Sequence, residues 1–128
     1  METEFLTDIS LLFFRLIIAI IFFSSGKSHF LNPEERSKSI GLSKSATLVL
    51  GIAELLGAVF IGIGLFTKIG TILLILAMLG AIYKKIVVWH TKFFEDKGYG
   101  WHYDLLLLLC LLIILASGGG NYILFNLI

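Results

Sequence analysis

The sequence predicts an all-α membrane protein: an antiparallel bundle of four transmembrane helices, with a short interfacial helix in the first loop. Hydrophobic residues make up 58% of the 128-residue chain and charged residues 15%, against roughly 45–50% and about 25% in soluble proteins. Four apolar stretches lie at about 9–25, 46–66, 69–89 and 103–118. Each is close to the length of about 20 residues with which a helix crosses a bilayer.

The alternative is a soluble all-α domain with buried helices. Small domains bury only about 60–70% of the surface that they expose when unfolded. A chain of this length could therefore not cover four apolar helices with its own polar surface. We expect one domain over residues 1–128. We also expect the first stretch to remain as a helix, because the acidic residues Glu2, Glu4 and Asp8 precede it, unlike the basic start of a signal peptide.

The connecting segments define the remaining elements. Asn32 and Pro33 are typical of the start of a helix, and Gly41 is typical of its end, which predicts a helix of two turns inside loop 26–45. Only Thr67 and Lys68 separate the second and third stretches, so a tight antiparallel turn is expected there. The third loop spans residues 90–102.

Positive charges are unevenly distributed over the loops. Loops 26–45 and 90–102 with their flanks contain most of the lysines and arginines, whereas Lys68 alone lies on the opposite side. The positive-inside rule then places these two loops in the cytoplasm. We expect the protein to lie in a prokaryotic cytoplasmic, or inner, membrane.

Two ionisable residues lie deep in the apolar stretches. Arg15 is about 15 Å from the predicted loop-side end of the first helix, and Glu54 is about 14 Å from that of the second. Their equal depth predicts an Arg15–Glu54 ion pair, since pairing offsets much of the cost of burying each charge. Such a pair would either fix the register of the helices or form the floor of a ligand cavity or proton path.

Further polar residues lie near the loop side. Helical periodicity directs Lys84 into the bundle and Lys85 about 100° away from it. The predicted ligand-binding residues are Arg15, Glu54, Lys84 and His90. A possible polar mouth of the cavity comprises Lys27, His102 and Asp104, although each also has a purely structural explanation as a snorkelling, interfacial or helix-capping residue.

Several chemistries are excluded or disfavoured. Cys110 is the only cysteine, so no intramolecular disulfide or CxxC redox pair exists. The histidines lack the spacing of a metal site, with His29 remote from His90 and His102. A b-type haem held by two transmembrane histidines is disfavoured, because neither His90 nor His102 lies deep in a span. We predict no metal, no covalently bound cofactor and, at a net charge of +1, no nucleic-acid partner.

The ordered motifs resemble those of the DoxX family of small four-helix membrane proteins, over nearly the whole chain. They are Arg15 in the first helix, Gly51-x-x-Glu54 with Gly57 in the second, the "GLFTKIG" turn, His90 before a Phe-rich segment, and the "GWHYD" entry to a leucine-rich last helix. One departure is His102, where the family often has a glutamate. Any role of that carboxylate is lost or has moved to Asp104.

The resemblance implies several activities. Some members are similar to membrane subunits of thiosulfate:quinone oxidoreductase, others accompany redox or detoxification proteins, and eukaryotic relatives act as chaperones or cargo receptors. Nothing in the sequence itself shows an enzyme.

Three functions therefore stay open. The first is an integral membrane subunit that binds a quinone or similar lipophilic molecule and supports a membrane redox process, with a redox partner protein or a second copy of the chain as possible partners besides lipid. The second is a non-catalytic scaffold or chaperone that binds partner transmembrane helices through faces of small residues. The third, proton-coupled transport by Glu54, is weaker because the sequence shows no inverted repeat.

Overall fold

A computed structural model describes residues 2–121, and helices are the regular elements of this part of the chain. They are α1 (Glu2–Leu31), α2 (Pro33–Ile40), α3 (Lys44–Ile63), α4 (Thr67–Tyr83) and α5 (Trp101–Ser117), with a π-helical turn at Lys84–Val88 directly after α4. Three helical segments are long and apolar enough to cross a membrane: Thr3–Leu31, Lys44–Ile63 and Thr67–Val88. The all-α prediction is confirmed at this level.

Helix ends follow the capping residues closely. Asn32 and Pro33 begin α2, and Gly41 ends it with a left-handed φ of 72°, while its N–H donates to the Ser37 carbonyl. Ser43 accepts a hydrogen bond from the Ala46 N–H at the start of α3. Two expected boundaries were wrong. The first helix continues to Leu31, and the tight turn lies at 64–66, where Gly64 has a φ of 77°, so that Thr67 and Lys68 already belong to α4.

The helices α1 and α3 pack closely, as do α3 with α4 and α4 with α5. Their shared core includes Ile18 and Phe22 from α1, Ile61 from α3, Leu74 from α4 and Leu111 from α5. The outer faces remain apolar, with residues such as Ile20, Val49, Leu79 and Leu106 exposed. An apolar outer surface of this extent suits a lipid environment.

Glycines determine how closely α1 approaches α3. A Cβ atom at Gly26 would lie 2.9 Å from both the Gly51 carbonyl oxygen and the Leu55 nitrogen. Farther along the same pair of helices, Gly62 of α3 faces Ala19 of α1. Numbers rise along α1 as they fall along α3, so these two helices run antiparallel.

This contact provides a first test. We expect Gly26→Ala to destabilise the protein by about 1–3 kcal/mol, because the added methyl group meets backbone atoms that cannot rotate away. Gly80→Ala is the matched control: a Cβ there meets nothing within 4 Å, and alanine favours a helix. Thermal unfolding in detergent measures both. Equal melting temperatures for the two variants would contradict the close packing.

Candidate functional site

A cavity of about 450 Å³ lies between α1, α3, α4 and α5 at the end where α2 crosses them. Every one of the five helices and the π-helical turn contributes to its lining. Its apolar lining includes Ile40, Leu42, Leu50, Leu76, Ala77 and Met78. The size is within the range of about 300–1,000 Å³ that is usual for small-molecule sites.

Glu54 and His29 form a buried pair in this cavity. The Glu54 carboxylate oxygen Oε1 lies 2.7 Å from His29 Nδ1, and the two side chains are 3% and 6% exposed. The glycine contact between α1 and α3 explains the pairing, because Gly26 lies directly beside Glu54 and His29 follows one turn later on the same face. An ionised carboxylate at this depth requires such a partner.

Arg36 extends the pair into a chain of three groups. Its Nη2 lies 3.4 Å from His29 Nε2, a long hydrogen-bond distance. A guanidinium can only donate, so this contact assigns an accepting lone pair to Nε2 and the proton to Nδ1, which then donates to Glu54. His29 thus connects the Arg36 cation of α2 to the Glu54 carboxylate of α3.

A second polar group in the lining comes from the π-helical turn and α5. Lys85 Nζ lies 2.7 Å from Asp104 Oδ2 and also donates to the Tyr99 carbonyl oxygen at 3.2 Å. Lys84 Nζ donates to the Gly41 carbonyl oxygen at 3.0 Å. Single π-helical turns occur often at functional sites, and this one brings two adjacent lysines to the same cavity.

The comparison with known proteins agrees with this architecture. The DoxX family model matches residues 10–90, which run from within α1 through α4 and the π-helical turn. The chain belongs to the DoxX family. A relative named "Putative oxidoreductase CatD", from Bacillus subtilis (strain 168), is 38% identical over 78 residues, which are 59% of this chain and 58% of CatD. The chain thus matches less than two thirds of the length of CatD. No solved structure is significantly similar to it.

The structure of this DoxX protein brings only part of the predicted site together. Glu54 and Lys84 line the cavity, as does Asp104 from the expected mouth. His90 is exposed at a left-handed φ of 53° and does not line it. Lys27 lies instead along a groove on the outer face of α1 and α3. His102 bonds to the Phe93 carbonyl oxygen in the third loop.

The predicted ion pair between Arg15 and Glu54 was wrong. Arg15 is 1% exposed, and its Nε donates to the Ile61 carbonyl oxygen at 3.0 Å and its Nη1 to the Gly119 carbonyl oxygen at 2.9 Å. Ile61 follows Glu54 by seven residues, which separates the two levels by about 11 Å along α3. Arg15 therefore lies outside the cavity, near the end of the bundle where α3 turns into α4.

Two other expectations about orientation were wrong. Lys85 does not turn away from the bundle, because the wider π-helical turn changes the rotation per residue and its long side chain reaches Asp104. Asp104 lies in the first turn of α5 without capping it, and its carboxylate pairs with Lys85 instead.

The sequence analysis also missed His29, Arg36 and Trp89 as lining residues. One available signal was that no helix-breaking residue follows Gly26 until Asn32 and Pro33. A continuous helix over that segment would have placed His29 one turn beyond Gly26.

Proposed function

We propose that this DoxX protein is a membrane subunit that binds a quinone or a similar lipophilic ring compound and supports a membrane redox process. The observation that supports it best is the cavity itself. Its lining combines apolar side chains with a buried carboxylate–imidazole pair and two lysines. An amphipathic ring needs both kinds of surface.

The polar groups suit the chemistry of quinones. Each of the two quinone carbonyl oxygens accepts hydrogen bonds, which Lys84 and Arg36 can donate. Reduction to the quinol consumes two electrons and two protons. In this proposal a partner redox protein supplies both electrons, and two protons from water pass to the bound ring one after the other through His29, which Glu54 holds in place. The name of CatD as an oxidoreductase is consistent with a redox role.

The proposed setting is a bundle of four transmembrane helices in a prokaryotic cytoplasmic membrane. The 17-residue α5 is apolar and forms the fourth crossing, at the lower limit of the usual length. The polar α2, with no buried residue, lies at the interface above the cavity. Loops 26–45 and 90–102 face the cytoplasm, as the distribution of lysines indicates.

Sidedness can be measured with one introduced cysteine. In a Cys110→Ala background, Lys97→Cys should resist an impermeant thiol reagent in intact cells and react after lysis. The same background without the new cysteine controls for other reactive groups. Rapid labelling in intact cells would reverse the topology and place the cavity opening on the outer side.

The fluorescence of Trp89 can report the binding of a quinone. The chain has two tryptophans, and Trp89 lines the cavity whereas Trp101 does not. In a Trp101→Phe variant, a short-chain quinone should quench the remaining fluorescence saturably. Ala77→Phe, which fills the cavity, should abolish the saturable part, whereas Leu79→Phe, on the exposed side of α4, should leave it unchanged. Purely linear quenching in all variants would contradict the proposal.

Mass spectrometry of small molecules extracted from the purified protein is a direct complement. A co-purified quinone supports the proposal. The scaffold hypothesis predicts a co-purified partner helix without any small ligand. The scaffold hypothesis relied on small residues that are free to contact a partner helix. The structure weakens this support, because contacts within the chain already use Gly26, Gly51, Gly57 and Gly70.

A further inference from the structure

The charges around the cavity do not cancel. Its lining contains three permanent cations and two carboxylates: Arg36, Lys84 and Lys85 against Glu54 and Asp104. Lys85 is paired with Asp104, and Glu54 is paired with His29, which Arg36 contacts in turn. Within residues 2–121, Lys84 donates one hydrogen bond, to the neutral carbonyl oxygen of Gly41. One positive charge of the lining therefore has no negative counterpart.

A second observation concerns Arg36. Its Nε is buried and has no hydrogen-bond partner among the described residues. Buried N–H groups are nearly always bonded, and an exception calls for an explanation. A guanidinium binds most strongly to an oxygen that bears negative charge. Lys84 and Arg36 thus independently favour the same kind of ligand atom, an oxygen that bears negative charge.

We propose that the preferred ligand is an aromatic compound with one ionised oxygen, such as the anion of a hydroxyquinone or of an acidic phenol. This inference rests on the proposed function and narrows its substrate class. The apolar lining would hold the ring, while Lys84 and Arg36 bind the oxyanion. A neutral quinone could fill the same volume but would leave the excess positive charge uncompensated.

The anion would also connect two elements that differ in burial. Arg36 belongs to α2, which has no buried residue, whereas Lys84 follows directly on the core helix α4. A ligand held by both would therefore link α2 to the end of α4. An anionic phospholipid headgroup offers the same charge, and the test below separates these two sources.

The experiment uses the full chain in nanodiscs of phosphatidylcholine, with Trp101→Phe so that Trp89 reports binding. The probes are 2-hydroxy-1,4-naphthoquinone, which is an anion at neutral pH, and 1,4-naphthoquinone, its neutral counterpart. We expect the anion to bind about tenfold more tightly. Lys84→Gln and Arg36→Gln should each reduce this preference to less than about threefold. Lys84→Arg, which retains the charge, and Lys38→Gln, on the same helix as Arg36 but not in the lining, should preserve it.

Each outcome has one meaning. Equal affinity for both probes would overturn the oxyanion inference and leave quinone binding intact, whereas saturable binding of neither probe would overturn the proposed function itself. The same titration in nanodiscs that contain phosphatidylglycerol distinguishes the sources of the anion. Unchanged affinity supports an aromatic ligand, and loss of the hydroxyquinone signal would assign the site to the lipid headgroup instead.

Discussion

His29→Ala should lower the free energy of unfolding by about 3–5 kcal/mol, one of the two largest effects that we expect from a single substitution. Stability is lost because the Glu54 carboxylate, which is 3% exposed, would stay buried without the imidazole N–H that now lies 2.7 Å away. Breaking a buried pair by removing one partner costs roughly this much, since the other charge is left uncompensated. Denaturation in mixed detergent micelles measures the change.

The chain offers a matched control in the pair of Lys44 and Glu34. These side chains lie 3.2 Å apart but are 57% and 78% exposed, so Lys44→Ala should cost less than about 1 kcal/mol. In a Glu54→Gln background, His29→Ala should lower the free energy of unfolding by less, because no buried carboxylate charge remains there to be compensated. A loss from His29→Ala that is no larger than the loss from Lys44→Ala would contradict a buried pair.

The parts of the fold that could be predicted from the sequence depend on local signals. Apolar stretches of the right length indicated the long helices, and Asn32, Pro33 and Gly41 indicated α2 within one residue of its bounds. These features depend on neighbouring residues only. The family resemblance drew on the same kind of information, namely the order of motifs along the chain, and the match to residues 10–90 confirms it.

The pairing of buried charges depends instead on the register between helices. The polar residues Lys27, Ser28 and His29 suggested that the first helix ends near Ser25, although a helix tolerates all three. The six additional residues up to Leu31 lengthen α1 by about 9 Å. An error of this size changes which residue of α1 lies level with Glu54. Arg15 was therefore predicted as the partner of Glu54, whereas in the structure the partner is His29.

Contacts between distant segments gave even weaker signals in the sequence. Asp104 meets Lys85 only because a π-helical turn follows α4, and a turn of this type has no recognisable sequence pattern. Glu54 could be placed in the bundle because a single ionisable residue in an apolar helix is unusual by itself, and Lys84 could be placed there by helical periodicity. Arg36 was not predicted to line the cavity, because α2 is polar throughout and nothing in its sequence distinguishes one charged residue from its neighbours.

Arg15→Met should destabilise the protein by about 3 kcal/mol or more, without weakening ligand binding by the folded protein. The Ile61 carbonyl lies in the last turn of α3, and the Leu65 N–H that could have bonded to it donates to the Phe60 carbonyl instead. Arg15 supplies the missing donor and connects it to the Gly119 carbonyl beyond α5. Each hydrogen bond to a charged group contributes about 1.5–3 kcal/mol. One side chain of α1 thus connects the C-terminal ends of α3 and α5.

Arg15→Lys separates charge from geometry. A lysine retains the positive charge but lacks the planar fork with which Arg15 reaches both carbonyl oxygens, so an intermediate loss of stability is expected. Denaturation in mixed micelles gives the stability of each variant, and quenching of Trp89 gives its affinity for the quinone probe. Because Arg15 does not line the cavity, both variants should bind the probe as the unsubstituted protein does below their melting temperatures. A large loss of affinity in a stable Arg15 variant would place this residue in the ligand site after all, and would imply that the bound state brings Arg15 and Glu54 closer together.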